Sequence, residues 1–372
     1  MQLIGAIALL VLGVAAASAL AGHWRFRARA GVEVSTLFAG AAASVGADQV
    51  RARRDSLPEP VRRYLRYAIP AGAPAIRTAR LKHDGFLRSA PGSRWARVSG
   101  EEYFTAAKPG FVWHATAWPA PLLWFEARDR LLSGRGEMLV KLCSALTLVE
   151  ASGAELDQGA RLRWLAECVW FPYGFAGDDI QWDPIGPRSA RMTLRQDGLP
   201  VSAVVEIDDE GKLTRLRAER YREVGGGRAE LTPWIARCGD YRAFGGLLVP
   251  SSVEISWLLP EGEFKAIRFR VTTLEYNVAN RFGRHDEQAG GGRRAGTGVT
   301  GGNLSATERA FRTVVGAAML GAAWSGAVTG VAGAALEIFG WIPLATGLAG
   351  WCPFYAVLGF TTRHRGPAER PR

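Results

Sequence analysis

The stretch GWIPLATGLAGWCPFYAVLGF, residues 340–360, carries no charged side chain. A helix needs roughly 20 apolar residues to cross the hydrocarbon core of a bilayer, so this run constrains the chain more than any other feature. Two further stretches share its character. Leu3–Gly22 (LIGAIALLVLGVAAASALAG) is uncharged, and Thr313–Leu336 is separated from Ile338–Phe360 by Glu337 alone. The expectation is an N-terminal transmembrane helix within residues 1–30 and a C-terminal transmembrane hairpin. Ala19-Leu20-Ala21 also resembles a signal-peptide cleavage site. Only Met1 and Gln2 precede the apolar run, however, and Arg25, Arg27 and Arg29 follow it. That charge order favours an uncleaved anchor with its arginine end in the cytoplasm. Arg309 and Arg312 precede the hairpin, and Arg363, Arg365 and Arg370 follow it, which puts both of its ends in the cytoplasm by the same rule. The two inferences agree on a cytoplasmic middle segment in a multi-pass protein of the inner membrane.

Small residues let apolar helices pack closely in lipid. Gly326 and Gly330 form a GxxxG pair on the second span, and Ala345 and Ala349 are spaced alike on the third. Pro343 falls near the expected start of the third span, and Pro353 deeper, where it would kink the helix. The segment TERAFRTVVGAAML, followed by IPLATGLAGWCPFYAVLGF, resembles the two-helix membrane domain of YgaP-like inner membrane proteins. Glu308-Arg309, the Gly-Trp-Cys-Pro run at 350–353 and Leu358-Gly359 carry the resemblance. It implies a hairpin over 305–363 with cytoplasmic termini. Some relatives carry this hairpin after a rhodanese domain, but no rhodanese-like cysteine loop is found here, so sulfurtransferase activity is not implied. A thiol embedded in lipid is a poor nucleophile, so Cys352 reads as a packing residue.

The formal net charge of the 372-residue chain is +11. The arginines flank apolar spans or alternate along strand-like segments, with no dense basic run and no nucleic-acid motif. Nucleic acid is therefore not an expected partner. Four cysteines, Cys143, Cys168, Cys238 and Cys352, make no C-x-x-C pair, so neither a zinc site nor a redox centre is suggested. No metal or cofactor is expected.

A glycine-rich linker (282–304) sets a soluble domain, 48–281, apart from the hairpin. The domain opens with LPEPVRRYLRYAIP, where Val61, Tyr64, Leu65 and Ala68 recur at helical spacing. The period then becomes two. Val253, Ile255 and Trp257 alternate with polar residues, as do Ile267, Phe269 and Val271, and Ala190, Met192 and Leu194. DDEGK at 208–212 reads as a hairpin turn. About ten such runs predict one strongly curved antiparallel sheet. Between them, Asp157–Pro172 has helical spacing, with Asp157 as its cap. The fold class is α+β: a curved antiparallel half-barrel with one or two packed helices. The stretches RWLAECVWFP, GDYRAFGGLLVPSSVEISW and FRVTTLEYNV resemble an uncharacterised bacterial family of domains of unknown function. The architecture is similar, by fold-level analogy, to the LolA- and LolB-like half-barrels.

Several residues are candidates for chemistry or binding. His83 and Asp84 point to opposite faces of a strand and read as surface residues. His114 and Glu167 are acid–base candidates, although Glu167 also stands four residues from Arg163, the spacing of a surface ion pair. Cys143 and Cys168 read as small buried side chains. Trp113, Trp118, Trp124 and Phe125, with Trp164 and Trp170, are the candidate lining of an apolar pocket. The expected function is binding of a lipid or other hydrophobic small molecule beside the membrane. The alternatives are an enzyme using His114 and Glu167, and a structural partner whose Gly-rich hairpin pairs with other membrane proteins.

Overall fold

The computed structural model describes residues 2–41, 44–54, 56–120, 123–195, 200–224, 228–283 and 304–350. It divides into two units, Ser18–Gly290 and a second made of Met1–Ala17 with Gly291–Arg372.

The first unit is built on one antiparallel sheet of thirteen strands. Six strands come first: β1 (Thr78–Leu87), β2 (Ala96–Thr105), β3 (Phe111–Ala120), β4 (Leu123–Leu132), β5 (Arg135–Leu142) and β6 (Leu146–Ser152). Seven follow: β7 (Ile180–Gly186), β8 (Ser189–Leu194), β9 (Val201–Ile207), β10 (Leu213–Glu223), β11 (Ala229–Phe244), β12 (Leu247–Leu259) and β13 (Gly262–Tyr276). The spatial order is β6-β5-β4-β3-β2-β1-β13-β12-β11-β10-β9-β8-β7. The chain therefore starts at the centre and zigzags outward to β6. It then crosses to the far edge at β7 and zigzags back until β13 pairs with β1. The alternation expected for β8 holds, with Ala190, Met192 and Leu194 buried, and the Asp208–Lys212 segment turns β9 into β10.

Three helices precede or interrupt the strands in this unit, after the first helix α1 (Gln2–Ala39). The short α2 (Ala47–Arg54) gave no sequence signal, yet Arg53 ties it to the carbonyl oxygens of Ala176 (3.2 Å) and Ile180 (3.1 Å). In α3 (Glu59–Ala68) the predicted stripe Val61, Tyr64, Leu65 and Ala68 is buried. The crossing connection is α4 (Ala154–Glu167), continued by 3-10 turns at Cys168–Trp170 and Pro172–Ala176. It starts one turn earlier than expected, and Asp157 is not its cap. Instead Asp157 Oδ1 accepts the Gly136 amide of β5 at 2.6 Å, which pins the helix to the sheet. α4 touches β4, β5 and β6 on one wing and β9 and β10 on the other. A sheet can meet one helix from both wings only by curving round it. Bulges at Lys82/His83, Val140/Lys141 and Ile255/Ser256 supply local bends of the kind such curvature needs.

The opposite, outer face of β2–β5 is covered by the Ser18–Ala39 part of α1. Phe26, Ala30, Val34, Leu37 and Phe38 are buried there, with Phe38 edge-on to Tyr103.

The second unit contains α5 (Ala306–Trp324) and α6 (Gly330–Ala349). Among the described residues only Gly330–Ala349 is long and apolar enough to cross a membrane, which corrects the expectation that both helices of the C-terminal hairpin are full spans; most of the expected N-terminal span falls on residues 1–17, outside the residues whose side chains are described. α5 holds Glu308, Arg309 and Arg312 in its first two turns. The turn also falls elsewhere than expected. Gly326 (φ +74°) and Gly330 (φ +71°) adopt the left-handed backbone that glycine tolerates best, so they form the corner rather than a packing face. Glu337 lies inside α6, where it accepts a hydrogen bond from Trp324 Nε1 at 3.1 Å. Pro343 is likewise inside α6 rather than at a helix start. Close approach is made by Gly316 and Gly347: a Cβ on Gly316 would lie 2.5 Å from the Leu344 nitrogen. Cys352 and Pro353 lie outside the described residues.

Candidate functional site

The curvature leaves a cavity of about 740 Å³ between the inner face of the sheet and α4. Val98, Trp113, Val253, Ile255, Trp257 and Phe269 give it an apolar and aromatic wall from the central strands. Gly159, Arg163 and Glu167 of α4, with Trp170 just beyond, form the other side.

A charged cluster sits at the helix. Arg163 Nη2 meets Glu102 Oε1 at 2.6 Å, Nη1 meets Asp129 Oδ2 at 2.7 Å, and Nε meets Glu167 Oε1 at 2.9 Å. Its guanidinium also lies over the rings of Phe111 (4.8 Å) and Trp113 (5.0 Å). One cation thus holds three carboxylates from β2, β4 and α4. Three buried carboxyl groups facing one positive charge are costly to ionise. Burial pushes the Glu102 carboxyl well above the usual carboxylate range, with Arg163 opposing it and Glu167 and Asp129 adding to it. Burial also raises Glu167, against the pull of Arg163. Glu102 and Glu167 thus both line the cavity with carboxyl groups held above their ordinary range. Glu167 Oε2 and Asp129 Oδ1 are buried acceptors with no partner among the described residues.

Arg220 of β10 also lines the cavity, reaching toward α4, where a Cβ on Gly159 would lie 3.7 Å from its Nε. Among the described residues it makes no ion pair, and its guanidinium lies 5.8 Å from the Trp234 ring centre. Burial draws its pKa down, partly offset by Asp129. His83 completes the wall. It is buried, contrary to the surface reading, because β1 presents Ala79, Leu81 and His83 on one alternating set that faces inward. Its Nε2 accepts from Trp113 Nε1 at 2.8 Å, which leaves the proton on Nδ1. Burial, then the Arg163 charge, lowers its pKa to about 3. Gly100 on β2 makes room for it, since a Cβ there would lie 2.5 Å from Nε2. Cys238 also lines the cavity, and burial lifts its thiol to about 12. That is unsuited to nucleophilic attack at neutral pH.

The aromatic candidates divide. Trp113 and Trp170 line the cavity. Trp164 packs in the core, with Nε1 donating to the Thr105 carbonyl at 3.0 Å. Trp118 is exposed at the end of β3. Trp124 Nε1 donates to Ser144 Oγ at 2.9 Å, and Phe125 pairs with Ala117 and Leu142 near the strand ends. His114 follows Trp113 and so points the other way, into the contact with α1. Its ring lies 4.6 Å from that of Phe26. Burial, then Arg281 and Arg27, lowers its pKa to about 3. His114 and Glu167 thus occupy opposite faces of the sheet. The Arg163–Glu167 pair exists, but it is buried rather than on the surface. Beneath α1, Glu33 meets Arg128 at 2.5 Å and Arg130 at 3.3 Å, a second buried ionic cluster. No cluster of three or more His, Cys, Asp or Glu side chains suited to a metal ion occurs among the described residues.

Residues 49–269, the span of the sheet with α3 and α4, match the model of a family of unknown function, DUF6544. The chain belongs to that family. Residues 301–366 match the transmembrane domain of YgaP-like inner membrane proteins, so the chain is a membrane protein. No curated protein matches the sequence significantly. Among solved structures the chain is similar to a LolA superfamily protein from Nitrosomonas europaea. That pair is 9% identical with a TM-score of 0.33, over 63% of this chain and 94% of the other. It is also similar to a DUF1329 family protein from Desulfovibrio piger, at 12% identity and a TM-score of 0.32, over 62% of this chain and 94% of the other.

Proposed function

We propose that this DUF6544 member is a membrane-anchored binding protein. Its sheet domain holds an elongated, mostly apolar molecule, a lipid or a compound of similar build, in the cavity beside α4. The observation that carries this reading is the cavity itself. At about 740 Å³ it falls within the roughly 300–1,000 Å³ typical of small-molecule sites. It pairs a hydrophobic strand wall with a few convergent polar groups at one side. An acyl or ring system would lie against Trp113, Trp257 and Phe269, and a polar group would meet Arg163, Glu167 and Arg220. Domain boundaries at 48–281 for the binding unit and 305–363 for the membrane hairpin fit this division of labour. The uncharged Leu3–Gly22 stretch and the flanking arginines support an N-terminal anchor, a multi-pass topology and a cytoplasmic binding domain.

The test is native mass spectrometry of the full chain released from membranes in a mild detergent, with extraction and identification of what it carries. A stoichiometric lipid or acyl species that is lost in a Val253→Asp variant supports the proposal. An empty protein that also fails to bind a fluorescent fatty-acid analogue overturns it. A second reading has its own observation. Glu102 and Glu167 carry raised-pKa carboxyl groups at the wall of a ligand-sized space, the kind of group that acid–base chemistry uses. Turnover of a bound species that stops in Glu167→Gln while binding persists would favour that reading.

A further inference from the structure

Alternate hairpin turns of an antiparallel sheet lie at opposite ends. The register brings Arg97 opposite Trp118, Phe125 opposite Leu142 and Leu87 opposite Ile267. The β1–β2, β3–β4, β5–β6 and β12–β13 turns therefore share one end. The other end is closed by α3, whose Arg63 donates to the Asp208 carbonyl of the β9–β10 turn at 2.9 Å. The cavity occupies the first end, where Leu87, Trp257 and Ile267 line it. α1 also leaves the domain there. His23 bonds Glu126, and Gly22 lies against the Ser144 carbonyl of the β5–β6 turn, whereas Phe38 packs on Tyr103 toward the α3 end.

Exposed apolar side chains cluster at this end, beside the exposed charges Arg94, Arg228 and Glu261 of the β1–β2, β10–β11 and β12–β13 turns. Leu20 and Trp24 of α1, Trp118 and Leu123 beside the β3–β4 turn, and Leu146 after the β5–β6 turn are all exposed. The segment Ala117–Phe125 reads AWPAPLLWF, without a charge. Beyond Ser18 toward the N-terminus the chain continues with the uncharged run Leu3–Ala17. Tryptophan is the side chain that settles at the headgroup level of a bilayer, and exposed apolar groups clustered at one end mark a contact surface.

We propose that this end of the sheet lies in the membrane interface, with Trp24, Trp118 and Leu123 among the headgroups, so that the cavity takes its ligand directly from the bilayer. The proposal rests on the reading that Leu3–Gly22 is embedded in lipid. The occupant is the lipid surface itself: the Ser18–Ala39 part of α1 reaches this end of the domain, and Leu87, Trp257 and Ile267 bring the cavity to it.

The test uses the full chain in phosphatidylethanolamine–phosphatidylglycerol nanodiscs, with a photoreactive benzophenone side chain placed at Trp118 or Leu123. Control sites are Lys108 and Glu210, exposed in turns at the α3 end. After irradiation, lipid adducts are counted by mass spectrometry. The expected result is at least tenfold more lipid adduct at 118 and 123 than at 108 and 210. Equal yields at both ends, or protein adducts in place of lipid at 118 and 123, overturn the proposal. Hydrogen exchange of the unsubstituted chain provides a second readout. Slower exchange around 117–125 in nanodiscs than in detergent is expected, and no difference counts against the interface. Because the ligand content of the cavity is measured separately, an empty cavity with strong adducts would sink the binding reading alone.

Discussion

Replacing Arg163 with methionine keeps the length of the side chain and removes the one cation that Glu102, Asp129 and Glu167 share. Breaking a buried ion pair by deleting one partner typically costs about 3–5 kcal/mol. Here three carboxylates lose their counter-charge, at 2.6, 2.7 and 2.9 Å, so the upper part of that range applies at neutral pH. For a domain of this size each kcal/mol moves the thermal midpoint by roughly 2–4 °C, giving a drop of roughly 8–20 °C. The pH dependence identifies the cause. Glu102 and Glu167 have folded-state pKa values raised above the ordinary 4.5. The stability linked to their protons is therefore fully present below that value and is lost as the pH rises through the raised folded values. Without Arg163 both values rise further, so the variant should lose more stability between pH 5 and pH 8 than the parent. Arg163→Lys, which keeps the charge but not the fork, should fall between the two. Thermal unfolding of the detergent-solubilised full chain, followed by tryptophan fluorescence at both pH values, makes the measurement. A methionine variant within about 2 °C of the parent at pH 8 would refute the idea that Arg163 compensates the cluster.

Other expectations are simpler to check. His114 is held to about 3, below its ordinary 6.5, so it adds stability above 6.5 that is lost as pH falls toward 3. By pH 5, His114→Gln should spare about 2 kcal/mol of that loss, read from denaturant midpoints at pH 5 and pH 7.5. Gly100→Ala should cost about 1–3 kcal/mol through overlap with His83, seen as a lower denaturation midpoint. Gly316→Leu should separate α5 from α6, and faster proteolysis of the C-terminal hairpin in detergent, with the sheet domain left intact, would register it. Cys168 and Cys238, whose thiols burial raises, should resist iodoacetamide at pH 8 in the folded protein and react fully once it is unfolded, as peptide mapping would reveal.

The local periods were legible. The α3 stripe and the alternation in β8 follow from side-chain spacing alone, and DDEGK announced its turn. What spacing could not give is anything set by pairing across distance. β1 meets β13 through contacts such as His83 with Val271, and no local signal marks that register. The cluster shows the same limit. Arg163 and Glu167 are neighbours on one helix turn and were visible as a pair. Glu102 and Asp129 join them only because the sheet curves, so a surface ion pair was the natural expectation. His83 did carry a signal, the alternating set with Ala79 and Leu81. Its exposed neighbour Asp84 points the reading toward the surface, because one polar residue beside another looks solvated. In the hairpin a charge suggested the corner, whereas glycine's access to positive φ decided it at Gly326 and Gly330.

The zigzag order of the sheet sets a timetable for its assembly. During synthesis the wing from β1 to β6 can form by successive hairpins as it emerges, and the wing from β7 to β12 can do the same. Neither wing can find the other until β13, the last strand made, slides in beside β1. Until then the inner edges of both wings remain unpaired, with the cavity wall split in two. A ribosome stalled before residue 262 should therefore hold two half-sheets, each a target for a chaperone, and release past residue 276 should join them in a single late step.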